Sequence, residues 1–195
     1  MRRVAFVFLA GGLLALGYAA YVVSDAKVYQ VREQRRLEQT PLEATPLERT
    51  RPVKAASPRV VVGSAIGEIQ IPRLRLTAIV TQGDSEAILR RSVGHLADTA
   101  LPGETGNVVL AGHRDTLFRP LKDVNVGDFI TVKTRAGHFE YVVESTTVVR
   151  PDDVEVLEAT GGRTLTLITC FPFSYLGSAP NRFIVRARET EVDVR

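Results

Sequence analysis

The feature that most constrains this chain is a series of short runs, rich in β-branched residues, that fills its C-terminal part. Apolar and polar residues alternate within the runs, as in half-buried strands, and turn formers such as Gly127-Asp128 and Ala136-Gly137 separate them. Only residues 86–91 and 154–157 are predicted as short helices. Repeated strands with so little helix favour a closed or nearly closed all-β barrel. The predicted strands are 67–72, 76–81, 107–110, 129–134, 139–149, 164–169 and 183–188.

An uncharged apolar run from Val4 to Val23 follows Met1-Arg2-Arg3 at the N-terminus. About 20 helical residues cross the roughly 30 Å hydrocarbon core of a bilayer, and such a run is longer than the apolar part of a signal peptide. Arginines before the run favour a cytoplasmic N-terminus. We therefore predict that residues 1–23 form a cytoplasmic tip and a transmembrane anchor. Cleavage near the small residues 17–20 is the alternative.

Residues 24–62 differ in composition from both neighbours. Tyr29–Gln39 is charged and rich in helix formers, and the sequence Thr40-Pro41-Leu42-Glu43 is echoed by Thr45-Pro46-Leu47-Glu48. Polar sequence interrupted by proline cannot bury enough apolar surface to fold alone. The segment is therefore predicted to be a semi-extended stalk that holds a folded domain, residues 63–195, away from the bilayer.

Composition excludes several classes of function. The formal net charge of +3 is small, and no basic stripe interleaved with aromatic residues is present, so nucleic-acid binding is not expected. The chain has one cysteine, which excludes an internal disulfide framework and a multi-cysteine metal site. That cysteine is then either a buried structural thiol or a reactive one.

Three side chains suited to acyl transfer are predicted at strand ends. Cys170 ends the alternating run 163–169, His113 follows the apolar run 107–110, and Arg182 opens another β-like run. A thiolate can attack a carbonyl, a histidine can transfer the proton, and an arginine can stabilise the developing oxyanion. Two neighbouring strands would bring these three residues together.

Other polar residues have competing interpretations. His95 is the serious competitor for the acid role, whereas His138 lies in a predicted turn and is expected to be solvated or to start a strand. Asp115 either orients a neighbour or simply forms a turn. Arg114 and Arg119 are predicted to be surface or salt-bridge residues.

Three sequence segments resemble the sortase family of cysteine transpeptidases. Thr166–Cys170 matches its TLxTC box, and Gly112–Thr116 and Ala179–Phe183 are most similar to the class D branch. The resemblance extends from about Gly67 to Glu191, with the histidine, cysteine and arginine motifs in the family's order. It implies an eight-stranded sortase-type β-barrel behind one N-terminal transmembrane helix, on the outer side of a bacterial plasma membrane.

The resemblance also implies roles for the residues. Cys170 would be the nucleophile, His113 the general acid and base, and Arg182 the residue that stabilises the oxyanion or substrate. The implied substrate is a C-terminal LPxTG-like sorting signal cleaved after threonine. The implied acceptor is an amine, such as a cell-wall peptide or a pilin lysine. Accessory positions are His95, Thr169 and Asp115.

That chemistry requires no metal, nucleotide or organic cofactor. Some sortases use calcium to order a loop, but the acidic residues of this chain do not have the spacing of a recognisable calcium site. Phe171 stands where tyrosine is common in the family, and the loop after His95 begins Leu96-Ala97-Asp98. Both departures bear on substrate choice and remove no catalytic group. The acidic residues considered are Asp123, Asp128, Glu155 and Glu158.

Two other functions are open at this point. An L,D-transpeptidase would carry an arginine two residues after its cysteine, where this chain has Pro172. A non-catalytic, membrane-tethered barrel that binds envelope proteins would need none of the three reactive side chains. Labelling of Cys170 together with a peptide-cleavage assay distinguishes an enzyme from a binding module.

Overall fold

The computed structural model describes residues 2–39, 60–158, 161–174 and 177–190. Eight strands form one closed barrel, in the order β1-β2-β3-β4-β7-β8-β6-β5. The predicted all-β barrel of eight strands is thus confirmed. Its strands are β1 (Ala65–Ile71), β2 (Leu76–Gln82), β3 (Val93–His95), β4 (Gly106–Ala111), β5 (Phe129–Thr134), β6 (Gly137–Val149), β7 (Arg163–Phe171) and β8 (Asn181–Glu189), and its α-helices are α1 (Arg2–Gln39) and α2 (Glu86–Leu89).

The alternation in the sequence correctly predicts seven strands but misses β3. This strand has only three residues, too few for alternation to register, and it pairs in parallel with β2 and antiparallel to β4. Gly94 lies at its centre, and a Cβ there would come 2.5 Å from the carbonyl oxygen of Gly83. The close approach of two backbones therefore requires glycine in a strand that the sequence pattern does not reveal.

The barrel interior is filled by the apolar residues that alternate along each strand. On β4, for example, Val108 and Leu110 point inward, and on β7 Leu165 and Leu167 do so. The interior also holds Phe118, from the loop after β4. This single core gives the strand ends fixed positions from which loops can present reactive side chains.

Strands β4, β7 and β8 lie side by side in the barrel. The pairing of β4 with β7 is parallel, so the C-terminal ends of both strands reach the same edge. The pairing of β7 with β8 is antiparallel, so β8 begins where β7 ends. The ends of β4 and β7 and the start of β8 therefore meet at one end of the barrel, which is where the sequence places the histidine, cysteine and arginine.

The N-terminal region forms one long helix, α1. Its part from Leu9 to Leu37 is long and apolar enough to cross a membrane, with exposed side chains along the apolar window. The predicted helix over Tyr29–Gln39 is confirmed as the end of α1. Residues 24–39 are therefore helical rather than semi-extended, and they lie against β2. The remainder of the predicted stalk, residues 40–59, lies outside the described residues.

Candidate active site

The register of two parallel strands places His113 and Cys170 at the same end of the barrel. Each paired β4 residue lies opposite the β7 residue 57 positions later, as Ala111 lies opposite Ile168. His113 and Cys170 are separated by the same interval. Two hydrogen bonds extend the contact beyond β4: the Gly112 amide donates to the Ile168 carbonyl at 3.1 Å, and the Thr169 hydroxyl donates to the Gly112 carbonyl at 2.8 Å. Thr169 thus ties β7, which carries Cys170, to the loop that carries His113.

Cys170 and Arg182 are direct partners across β7 and β8. Both are half-buried, so each side chain is held by the sheet and still reaches the surface. The strand continues one residue past the cysteine, to Phe171, because Phe171 pairs with Asn181; Cys170 is therefore the penultimate residue of β7 rather than its last. Arg182 likewise follows the first residue of β8. Its Nη1 donates to the Asn181 carbonyl at 3.1 Å.

The loop that carries His113 is anchored by a buried aromatic ring. Phe118 has no exposed surface, and its amide donates to the His113 carbonyl at 3.1 Å. A Cβ on Gly112 would lie 2.7 Å from the Phe118 ring, so the residue before the histidine has to be glycine. The His113 side chain remains 33% exposed, and its Nε2 lies 3.6 Å from the exposed carboxylate of Glu86. A substrate can therefore approach the imidazole from solvent.

His95 occupies a closed polar network instead. It is 1% exposed, and its Nε2 lies 2.9 Å from the Ala100 carbonyl and 3.2 Å from the Thr99 hydroxyl. Its Nδ1 lies 2.9 Å from the side-chain amide of Gln82. Burial lowers the pKa of His95, against a smaller opposing effect of the hydrogen bond to Ala100. Both ring nitrogens are engaged, so the structure assigns His95 a structural environment and does not open it to the Cys170 surface.

Of the two environments predicted for Arg114, surface or salt bridge, the structure gives the salt bridge: Arg114 is buried because it holds the loop between β7 and β8. Its Nη1 donates to the Pro172 carbonyl at 2.9 Å, and its Nη2 donates to the Gly177 carbonyl at 3.0 Å. Asp115 is 64% exposed and lies 3.4 Å from the Nε of Arg114. Asp115 therefore faces Arg114. Sequence patterns miss this arrangement because both arginine and aspartate in a loop are ordinarily solvated.

An aromatic cluster stabilises the chain around the cysteine. Phe171 stacks on Phe183 with ring centroids 6.2 Å apart, and Phe173 meets Phe183 edge-on at 5.3 Å. Phe173 and Phe183 also pack against the barrel core. Phe171, which stands where the sortase resemblance would place tyrosine, therefore takes part in packing beside Cys170.

A groove of about 300 Å³ runs along the outer face of the barrel next to the arginine. Ala111, Ile168 and Ile184 are among its apolar lining residues, and Arg182 lines it as well. Val154, from the loop between β6 and β7, lines the groove too. Charged residues, among them Asp84 and Asp153, contribute to the lining as well, so the groove is mixed in character; it reaches Arg182, whereas Cys170 and His113 do not line it. A larger cavity of about 890 Å³, near the end of α1, is lined by none of the three predicted catalytic residues.

The loop that borders this groove is fixed by a buried asparagine that sequence analysis overlooked. Asn107 Nδ2 donates to the carbonyls of Val156 and Leu157 at 3.2 and 3.3 Å, and its Oδ1 accepts from the Thr166 hydroxyl at 2.7 Å. Arg186 donates to the Val156 carbonyl as well, at 3.0 Å. A polar residue at the start of the apolar run 107–110 is the signal that could have identified it.

The acidic residues considered for calcium lie in separate environments. Asp128 is paired with Arg73, and that hydrogen bond lowers the pKa of Asp128. Asp123 lies 2.7 Å from Lys122. Within the described ranges, no three His, Cys, Asp or Glu side chains cluster in a way that could hold a metal ion.

Comparisons with known proteins agree with this geometry. Residues 69–190 match the family model described as the sortase domain. Sortase D of Bacillus subtilis strain 168 is 31% identical over 192 residues, which cover 95% of this chain and 97% of that protein. The structure of a Clostridium perfringens sortase D5 transpeptidase is similar, with a TM-score of 0.62 and 30% identity over 67% of this chain and 82% of that one. Sortase A from Corynebacterium diphtheriae gives a TM-score of 0.62 and 31% identity, over 67% of this chain and 63% of that one. The chain belongs to the sortase family.

Proposed function

We propose that this sortase cleaves a C-terminal LPxTG-like sorting signal after its threonine and transfers the acyl group to an amine of the cell envelope or of a pilin. The observation that carries the proposal is the common register of β4, β7 and β8, in which Cys170 pairs with Arg182 and the β4–β7 interval relates His113 to Cys170. A nucleophile, an acid and a cation are the groups that acyl transfer needs.

The reaction proceeds in two steps. The Cys170 thiolate attacks the threonine carbonyl, and Arg182 stabilises the negative charge on its oxygen. His113 gives a proton to the departing amine as the peptide bond breaks, which leaves a thioester on Cys170. An incoming amine then loses a proton to His113 and attacks the thioester, so that an amide forms and the thiolate is restored.

The groove beside Arg182 supports this substrate class. The apolar part of its lining, which includes Ala111, Ile168 and Ile184, suits the leucine and proline of a sorting signal, and the signal's threonine would lie at the end nearest Arg182. The stretch of α1 long enough to span a membrane supports an anchor with the N-terminus inside and the barrel outside. Residues 1–23 would be the anchor, 24–62 the connection and 63–195 the catalytic domain, and no cofactor takes part.

The test uses the full-length protein in detergent micelles with a peptide that carries an LPxTG sequence. We expect mass spectrometry to find a thioester adduct on Cys170 and none in Cys170→Ala. Adding an amine should convert product from free acid to amide, in a yield that rises with amine concentration. An absence of any adduct across peptides varied at every signal position would favour the binding-module alternative. Free acid alone at every amine concentration would indicate a hydrolase.

A further inference from the structure

The side chain of Gln30, in α1, bonds to a part of β2 that β3 does not pair with. Strand β3 pairs with β2 only at Val80–Gln82, so the backbone of β2 before Val80 lies beyond the reach of β3. The Ile79 amide donates to Gln30 Oε1 at 2.7 Å, and Gln30 Nε2 donates to the Arg91 carbonyl at 2.6 Å. One side-chain amide therefore supplies a hydrogen-bonded link between β2 and the segment that leads into β3.

The same face of β2 is covered by apolar and hydroxyl contacts. Ile79 and Thr81 alternate with the core residues Ala78 and Val80, so they face outward, yet each is only 1% exposed. The hydroxyl of Tyr29 lies 3.1 Å from the Thr81 hydroxyl. These outward residues are buried because α1 lies over them, and their burial favours a docked helix.

The contacts begin where the apolar part of α1 ends. Asp25 and Arg91 form an ion pair at 2.7 Å, only two residues after Val23. At about 1.5 Å of rise per residue, Asp25 lies about 3 Å and Gln30 about 10 Å beyond Val23 along the helix axis. A bilayer that surrounds the apolar run would therefore leave almost no gap before the barrel.

We propose that the catalytic barrel is docked onto its own membrane helix and rests against the phospholipid headgroups. The proposal rests on the membrane anchoring given under Proposed function. Arg90 is exposed next to the docked Arg91, in a position to meet anionic headgroups. The segment from Glu86 to Arg91 joins the docked helix to the active site, because Glu86 contacts His113. The enzyme then takes sorting signals at the membrane surface.

Fluorescence quenching in vesicles of phosphatidylcholine and phosphatidylglycerol tests the docking. In full-length Cys170→Ser protein, which lacks the native thiol, a bimane label is attached at Arg90→Cys or at Ala136→Cys. Ala136 is exposed and lines the same cavity as Arg36, about 20 Å beyond Val23 along the helix. Lipids with a nitroxide headgroup should quench the label at position 90 strongly and the label at position 136 weakly.

Flotation of the same vesicles separates the two hypotheses. Protein that fails to float with the lipid contradicts the membrane anchor. Protein that floats but shows equal, weak quenching at both positions overturns the docking and leaves the anchor intact.

A charge exchange identifies the contact responsible. Asp25→Arg or Arg91→Asp, each alone, should lower the quenching at position 90, and the two together should restore it by re-forming the pair in reverse. Gln30→Ala should lower the quenching and also speed hydrogen exchange at the Ile79 amide. Unchanged quenching in all of these floating variants would show that α1 does not hold the barrel, contrary to the proposal.

Discussion

His95 and His113 show how the same dipeptide reaches opposite states in one barrel. Each follows a glycine that packs too closely for a Cβ, Gly94 against Gly83 and Gly112 against the Phe118 ring. After His95 the chain folds back, so that Thr99 and Ala100 bind its ring. After His113 the chain turns away and the ring stays at the surface.

The difference teaches that the residues after a histidine decide whether it is structural or chemically available. In the loop after β4, Arg114, the immediate neighbour of His113, is a buried polar side chain. Its guanidinium binds the loop after Cys170, and the imidazole of His113 keeps only an exposed partner, the carboxylate of Glu86 at 3.6 Å.

Substituting each histidine in turn should produce opposite results. We expect His113→Ala to lower kcat/KM by about a thousand-fold with little change in stability, since general acid–base catalysis contributes about 10² to 10⁴-fold. His95→Ala should retain activity within about tenfold in the folded protein. It should nevertheless lower the free energy of unfolding by about 1–3 kcal/mol, because its buried partners lose a hydrogen bond.

Peptide-cleavage kinetics and urea unfolding measure the two effects. A stable His95→Ala protein without activity, together with an active His113→Ala protein, would reverse the comparison and the assignment of roles.

Substituting Arg114 should test what holds the loop between β7 and β8 in place. Arg114→Ala leaves the carbonyls of Pro172 and Gly177 without this donor, and we expect kcat/KM to fall about tenfold as the loop loosens. Arg114→Lys keeps the charge but lacks the planar fork that reaches two carbonyls, so it should recover only part of the loss. The exposed neighbour Arg119→Ala is the matched control and should behave as the unsubstituted protein.

Kinetics and thermal unfolding, measured on all three variants, decide the result. Activity in Arg114→Ala equal to that of Arg119→Ala would mean that the loop needs no such support.

The smallest expected effect is a pH dependence of stability that arises from the buried network around His95. Burial lowers the pKa of His95, so below the ordinary value of about 6.5 the unfolded chain binds a proton that the folded chain resists. Its contribution to stability is complete above that pH and is lost as the pH falls. Urea unfolding at about pH 7.5 and about pH 5 measures how much the free energy of unfolding falls with pH. This fall should be smaller in His95→Gln than in the unsubstituted protein. The exposed His138→Gln is the control, and an equal loss in all three proteins would contradict this role.

Much of the barrel follows from short-range pattern. Alternation predicts seven strands, and the ends of β5 agree with the structure residue by residue. The predicted transmembrane run and the helix over Tyr29–Gln39 merge into one helix, because the residues between them do not include a proline or glycine that would break it. Strand β3 is not predicted because three residues are too few to show an alternating pattern.

The sequence predicts which reactive residues belong to the site, but not which residues hold the surrounding loops in place. Chemistry and family motifs select Cys170, His113 and Arg182, and their catalytic roles stay predictions. The burial of Arg114 and the two-sided bonding of Asn107 depend on segments about 50 or more positions away in the chain. Gln30 reaches β2 in the same manner. Such partners are invisible to any local pattern because they are set only by the closed barrel.

The parallel register of β4 and β7 has a consequence for insertions and deletions. The ladder sets which residues lie opposite each other, so the loops between the two strands can change length without altering that alignment. One residue added between Ala111 and His113, or within β7 before Cys170, would instead shift one reactive side chain past the other. We therefore expect changes of length in the connecting loops to preserve this alignment, and changes of length at the two strand ends to disrupt it.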